Sequence, residues 1–439
     1  MSPEEVRGSL ASPSSSQNSE RIWDCGDLNL TNGLLVILEL ALAEVGCGEK
    51  VRLHSCNRDG IADVRTWARL SGHTLAFSEG TEFVEYEIEK GSARKLLLDG
   101  EAQWGKRLFQ SGSSPQGPSG ESVRASTGAL AGLCTVPLQA SPQRGFAPRG
   151  AALEVHSPAF SFSLNDKRQV WAAEVADLYD QAVANQWDGV RDIDWSSLPP
   201  LPPILEQAVC QVMTFLVENE YSALYVPGKF ISRINPQYME VVLFLTTQLM
   251  DEARHIEVFT KRALANGGGL QVCTASTEHS LKCLFEQSDF SCASFLLSVL
   301  GEGTFVDLLR FIEEVAPDPV TADIVRRARI DEIRHVHFGM AHIRYLLTED
   351  AGAVNMLMRA VFERSLVLRD VTSINELVTR ALAILAGGGI EPAQLKVGTA
   401  RVNGLLKLMD ENRRKRLVSI GFSPEQAAEV SALHTPNFM

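Results

Sequence analysis

The sequence predicts a multidomain chain: a small α/β domain of order β-α-β-α-β-β, followed by a mainly α four-helix bundle with extra C-terminal helices. Three observations predict it. Residues 21–98 alternate short strand-like and helix-like runs. Residues 204–348 carry apolar stripes at helical spacing, broken at a few positions by Glu and His. Between the two, residues 111–126 are rich in Ser, Gly and Pro. The expected divisions are a disordered tail over 1–20, the α/β domain over 21–98, a Gly/Ser/Pro-rich linker over 99–164, the bundle over 165–350 and a helical extension over 351–439.

In the α/β domain, Arg21–Cys25 and Lys50–Cys56 read as strands, Gly33–Val45 and Ile61–Ser71 as helices, and Thr74–Phe77 and Phe83–Ile88 as two closing strands. Order resumes with a helix over Val170–Gln186, whose Trp171, Val175, Leu178, Tyr179 and Ala182 recur on one face. The Pro-rich Trp195–Pro203 leads into the bundle. Ala351–Val378 and Glu376–Met409 continue as helices, with a break at Gly387-Gly388-Gly389.

At 439 residues and 45% hydrophobic composition the chain can bury a sizeable core. A net charge of −13 disfavours nucleic acid and anionic membrane surfaces as partners. The longest apolar run, Leu34–Ala43, is too short to span a bilayer and contains Glu39. Met1–Glu20 has no apolar signal core, so a cytoplasmic location is expected. The cysteines at 25, 47, 56, 134, 210, 273, 283 and 292 form no C-x-x-C and read as reduced packing residues.

Chemistry is concentrated in a repeated pattern. Asp251-Glu252-Ala253-Arg254-His255 and Asp331-Glu332-Ile333-Arg334-His335 share the form Asp-Glu-x-Arg-His. Glu and His at i and i+3 lie on one face of a helix, so each segment offers two ligands to one point. Two further carboxylates interrupt apolar stripes: Glu220 among Val209, Met213, Leu216 and Leu224, and Glu302 among Phe295, Val299, Val306 and Leu309. The spacing also matches, since 32 residues separate Glu220 from Glu252 and 30 separate Glu302 from Glu332, each the length of one antiparallel helix hairpin. A lone Glu followed by Glu-x-x-His, twice over, is the ligand plan of a two-metal bundle core. Four buried carboxylates need cations to neutralise them. Four carboxylates and two imidazoles suit iron or manganese better than structural zinc. His342, one turn pair beyond His335, is expected to be a core histidine, with a seventh ligand as the alternative.

Through Glu220-Tyr221-Ser222-Ala223, Gly301-Glu302 and the two Asp-Glu-x-Arg-His segments, residues 170–348 resemble the ferritin-like dimetal-carboxylate superfamily, and within it the bacterial multicomponent monooxygenase hydroxylases. The resemblance implies two Fe ions, or Mn with Fe, held by Glu220, Glu252, His255, Glu302, Glu332 and His335. Asp251 and Asp331 would hydrogen-bond the bound imidazoles, and Arg254 and Arg334 would hold those Asp residues. It implies an O2-dependent oxygenase or oxidase acting on a small organic substrate, an electron donor of ferredoxin or reductase type, and allows a homodimer. Three positions depart from relatives. The hydroxylase Thr falls on Val306, which leaves Thr304 as the substitute catalytic hydroxyl. The tyrosyl-radical position falls on Phe259, and the crosslinking Val of ligand-binding oxidases falls on Ser222. A metal store or sensor is the alternative reading.

Residues 21–90 resemble the TusA-like sulfur-carrier family through Trp23-Asp24-Cys25-Gly26-Asp27-Leu28, Asp59-Gly60-Ile61-Ala62-Asp63-Val64 and Ser71-Gly72-His73. The family's Cys-Pro-x-Pro falls on Leu30-Thr31-Asn32-Gly33, so its sulfur-carrying thiol is missing. Cys25 is expected to be buried and poorly ionised. The domain is expected to dock a partner or regulate, with a sulfur-relay scaffold as a further alternative.

Overall fold

The computed structural model describes residues 22–29, 33–91, 135–151, 153, 157–369 and 375–434. The expected N-terminal tail, residues 30–32 of the carrier motif, most of the expected linker and the last five residues lie outside this set. Two compact units are present.

The first unit follows the expected order: β1 (Ile22–Asp24), α1 (Leu34–Ala43), β2 (Lys50–Ser55), α2 (Ile61–Leu70), β3 (Thr74–Glu79) and β4 (Val84–Glu89). The sheet runs β1-β2-β4-β3, with β1 parallel to β2 and the other pairs antiparallel. The period-two alternation of β4 explains its placement. Val84, Tyr86 and Ile88 are buried in one core with Leu34, Leu38 and Ala41 of α1 and Val64 of α2. On the opposite face Glu87 pairs with Lys50 at 2.7 Å and Arg52 at 3.2 Å, opposite charges set across the strands.

The second unit is helical. It comprises α3 (Val175–Ala184), α4 (Pro203–Ile231), α5 (Met239–Ala265), α6 (Ala275–Glu286), α7 (Phe290–Ser294), α8 (Gly303–Val315), α9 (Pro319–Glu349), α10 (Ala353–Arg369), α11 (Glu376–Gly387), α12 (Pro392–Ser419) and α13 (Pro424–Leu433). Between α7 and α8, Phe295–Glu302 is wound as a π-helix, so α7, this segment and α8 form one continuous rod. A π-turn takes an extra residue and shifts the register of the residues after it. Among the described residues this rod, Phe290–Val315, is the one helix long and apolar enough to cross a membrane, and it is almost wholly buried in the unit. The four long rods α4, α5, α7–α8 and α9 are the bundle. Starts are set by side chains, as at α9, where Asp318 accepts from Thr321 N at 2.7 Å and Pro319 occupies the first turn.

The expectation of a linker reaching to 164 is corrected at its C-terminal end. Residues 138–149 and 160–166 are tied to the bundle: Gln139 bridges Asp166, Leu164 bridges Ile234, the Tyr238 hydroxyl donates to Asn165 O at 2.6 Å, and Arg149 pairs with buried Glu240. Its anchoring is mostly backbone hydrogen bonding plus a few side chains, and neither leaves a hydrophobic period in the sequence.

Candidate metal centre

The four expected segments meet at mid-bundle. Glu220 comes from α4, Glu252 and His255 from α5, Glu302 from the end of the π-helix, and Glu332 and His335 from α9. All six are 0–1% exposed. Their ligand atoms fall into two overlapping groups, Glu220, Glu252, His255 and Glu332, and Glu252, Glu302, Glu332 and His335, each with its atoms within 4.8 Å of one another. Glu252 and Glu332 belong to both groups and so can bridge. The groups are related by a swap of equivalent residues, as two Glu-x-x-His helices facing each other require.

The imidazoles point inward through Nδ1. His255 Nδ1 lies 3.5 Å from Glu220, 3.4 Å from Glu252 and 3.5 Å from Glu332. His335 Nδ1 lies 2.9 Å from Glu252 and 3.4 Å from Glu332. Each Nε2–H is directed outward to the Asp of the opposite motif: His255 to Asp331 and His335 to Asp251, both at 3.3 Å. This fixes the tautomer that leaves Nδ1 free to ligate. Arg254 and Arg334 each clamp both Asp residues, and the longer contacts are 3.2 Å (Arg254 to Asp331) and 3.1 Å (Arg334 to Asp251). The structure thus brings Asp251, Arg254, Asp331 and Arg334 together around the imidazoles, and each imidazole is held by the other helix.

The donor set fits two metal ions. Oxygens of Glu220, Glu252, Glu302 and Glu332 and Nδ1 of both histidines are buried with no hydrogen-bond partner among the described residues, although buried polar atoms are ordinarily satisfied. Burial, then Glu252 and Glu332, pushes the Glu220 carboxyl well above the usual range, and burial, then Glu332, does the same to Glu302. Against the desolvation penalty, neighbouring carboxylates hold both imidazoles far above their ordinary value. A site of this kind carries excess negative charge that cations neutralise, and its hard oxygen donors with imidazole suit iron, or manganese with iron.

Three features of the site were not read from the sequence. Gln248 donates to Glu302 Oε1 at 3.2 Å from the buried face of α5. Trp187, in the turn after α3, donates from Nε1 to Asp331 Oδ2 at 2.7 Å, and its ring lies 4.6 Å from the Arg254 guanidinium. Gln186 beside it bonds both Arg254, at 2.8 Å, and Asp251, at 3.2 Å. A Gln within an apolar stripe was a usable signal for Gln248. The Gln-Trp pair lies in a turn, where no periodicity exists to read.

Thr304 is not at the centre. Its hydroxyl donates to Leu300 O at 2.7 Å and lies 3.4 Å from Arg413 of α12. Two residues beyond Glu302 is roughly 200° round the helix, which turns Thr304 to the opposite face. His342 is a satisfied core residue: Nδ1 bonds Trp171 O at 2.9 Å, Nε2 bonds Ser291 at 3.0 Å, and burial pulls its pKa down to about 4. Phe259 is buried with its ring 6.1 Å from His255, whereas Tyr221 is 49% exposed.

A narrow apolar pocket adjoins Glu302. Val226, Pro227, Phe230, Leu245, Phe290, Leu297 and Phe338 line it, and Gln248 and Ser298, both hydrogen-bonded to Glu302, stand in its wall. Its free space of about 20 Å³ is the room of a single water-sized molecule.

No protein-family model matches the chain, and no curated protein does. Among solved structures, the chain is similar to R2-like ligand-binding oxidases. A variant with an aerobically reconstituted Mn/Fe cofactor is 19% identical, with a TM-score of 0.45 over 56% of this chain and 93% of that one. Another with an aerobically reconstituted Mn/Fe cofactor after a long soak is 17% identical, with a TM-score of 0.41 over 61% and 95%.

Proposed function

We propose that the protein is a dimetal oxidoreductase that uses O2 to oxidise a small organic substrate, with Glu220, Glu252, His255, Glu302, Glu332 and His335 as the metal ligands. One observation carries this reading: six buried, convergent side chains, each with an inward ligand atom that has no hydrogen-bond partner among the described residues, arranged as two groups sharing two carboxylates. Two bound Fe ions, or Mn with Fe, would supply the O2 chemistry.

The protein's own groups do the positioning. Asp251 and Asp331 keep each imidazole's Nε2 protonated and its Nδ1 available. Arg254 and Arg334 pair with those carboxylates and hold them in place, with Trp187 as a further donor to Asp331. The apolar wall formed by Phe230, Leu245, Phe290 and Phe338 keeps bulk water from Glu302. Ser298 in that wall, rather than Thr304, is the hydroxyl placed to pass a proton to Glu302. The free space admits a molecule the size of O2 at once, and an organic substrate requires the pocket wall to give way. Pro227 interrupts α4 at that wall and the π-helix replaces regular helix there, so two of its elements have weakened hydrogen-bond ladders.

Electrons come from a separate ferredoxin or reductase. Trp187 links Asp331 to a half-buried position in the turn after α3 and offers the entry point. The N-terminal unit, a TusA-like domain in this reading, serves docking or regulation, since its core cysteine is sealed: Cys25 is 2% exposed and burial raises its thiol to about 11.

The test is metal analysis and O2 reactivity of iron-grown protein. About two transition-metal ions per chain, and an optical change when the reduced protein meets air, support the reading. A single zinc per chain with no optical change overturns it, and iron uptake far above two ions per chain supports storage instead. Deleting residues 1–100 is expected to keep metals and O2 reactivity while lowering turnover with the electron donor.

A further inference from the structure

Behind the helix that carries Glu302 lies a second buried cluster, of opposite sign, to which none of the candidate metal ligands belongs. Arg413 and Arg416 of α12 reach the first turns of α8, and His434, after α13, lies in the field of both and of Arg364 of α10. Arg364, Arg413 and His434 are 6%, 7% and 8% exposed. Arg413 donates through Nη1 to Ser431 Oγ at 3.0 Å and lies 3.4 Å from Thr304 Oγ1. Among the described residues no carboxylate forms an ion pair with it. Arg416 lies 3.6 Å from Asp307, whose other oxygen accepts from Asn412 at 2.9 Å. Arg364 donates to Ser280 at 2.7 Å.

Donors remain unused inside this cluster. Arg413 Nε, Arg416 Nε and Nη2, and His434 Nε2 are buried with no partner among the described residues. Among the described residues the carboxylates acting on the Arg413 and Arg416 guanidiniums are Asp307 and Asp410, and Asp410 accepts from the Ser431 hydroxyl at 2.6 Å, so neither carboxylate meets the unused N–H groups. An uncompensated buried cation costs several kcal/mol, and proteins ordinarily neutralise it. The strain is visible in the groups themselves. Burial, then Arg416, pulls the Arg413 pKa down to about 10. Burial, then the three arginines, holds His434 well below its ordinary value and so neutral. Planar guanidinium N–H groups left unused are the usual recognition elements for an oxyanion, which accepts several of them at once.

We propose that Arg413, Arg416 and His434 enclose a binding site for one small oxyanion, phosphate or a carboxylate. The site does not depend on the metal reading. It does touch the same helix: a Cβ at Gly303 would lie 2.6 Å from Arg416 Nε, so this guanidinium rests on the backbone next to Glu302. Burial of the unused donor atoms among the described residues selects an anion of few atoms over an extended ligand.

The test uses the full-length, metal-loaded protein in oxyanion-free buffer at constant ionic strength, titrated with inorganic phosphate and, in a parallel arm, with acetate. A saturable rise in melting temperature of roughly 5 °C at a hundredfold excess over the dissociation constant is expected with one of the two, and none with chloride. The stronger arm identifies the oxyanion class. Arg413→Met is expected to abolish the response and, without oxyanion, to be at least as stable as the parent, because an unpaired buried charge has been removed. No oxyanion-specific shift in either arm overturns the proposal. So does an Arg413→Met variant that responds like the parent, which means an adventitious ion only, or one that is less stable than the parent in oxyanion-free buffer. If that variant does not fold, crystals of the parent soaked in selenate decide. An anomalous peak within hydrogen-bond distance of Arg413 and Arg416 supports the site, and no peak there overturns it.

Discussion

His255 is held by Asp331, a residue of the other Asp-Glu-x-Arg-His motif, at 3.3 Å, while the Asp of its own motif, Asp251, holds His335. The two half-sites are therefore interlocked: neither imidazole keeps its orientation unless both helices are in place. Arg254 and Arg334 reinforce the exchange by reaching both carboxylates. Burial opposes ionisation of Asp331, yet His255, Arg334 and Trp187 outweigh it and hold this carboxyl far below the usual range.

The shared carboxylates set the first prediction. Glu252 belongs to both donor groups and Glu220 to one. Glu252→Ala is expected to lose both ions, and Glu220→Ala to retain about one per chain, as measured by mass spectrometry of the purified variants. Equal losses in the two variants would contradict the bridging role.

Trp187→Phe removes the indole N–H from buried Asp331 but keeps an aromatic ring near Arg254. Loss of a hydrogen bond to a charged group costs about 1–3 kcal/mol, measurable by denaturant unfolding. Metal content should persist, and reduction by an external donor should slow in stopped-flow experiments. Unchanged reduction kinetics would remove Trp187 from the electron route.

The two hydroxyls on the Glu302 helix make a paired test. Thr304→Val is expected to leave O2 consumption intact and to cost about 1 kcal/mol of stability through the lost contacts to Leu300 and Arg413. Ser298→Ala is expected to lower O2 consumption by about tenfold or more, since positioned proton transfer is worth at least that much. The opposite pattern in oxygen-electrode measurements would return the role to Thr304.

Cys25 predicts a pH dependence confined to the N-terminal unit. Burial, then Asp24, raises its thiol from 9.0 to about 11. Below pH 9 both folded and unfolded chains keep the proton, so the full stability is present. Between 9 and about 11 only the unfolded thiol ionises, and stability falls as pH rises. Melting of the unit should drop across that window, and Cys25→Ala should flatten the drop. Alkylation at pH 8 should modify the exposed Cys47 and Cys56 well before Cys25.

By itself the sequence determined which residues face the bundle core and at what level. A buried stripe has a fixed period, and Glu220, Glu302 and the two Glu-x-x-His pairs break that period where an unpaired acid is too costly to bury. Strand alternation likewise set the order of the α/β unit. Only the tertiary structure decided which neighbour each side chain meets. The crossing of His255 to Asp331, the Gln248 bond to Glu302, and the placement of Gln186 and Trp187 join residues far apart in the chain, and helical period carries no information about partners on another helix. The turning of Thr304 toward Arg413 was within reach of the period alone. The π-helix before Glu302, the anchoring of residues 138–149 and 160–166, and the convergence of Arg413, Arg416 and His434 were decided by packing, because each depends on how helices settle against one another rather than on the pattern within any one of them.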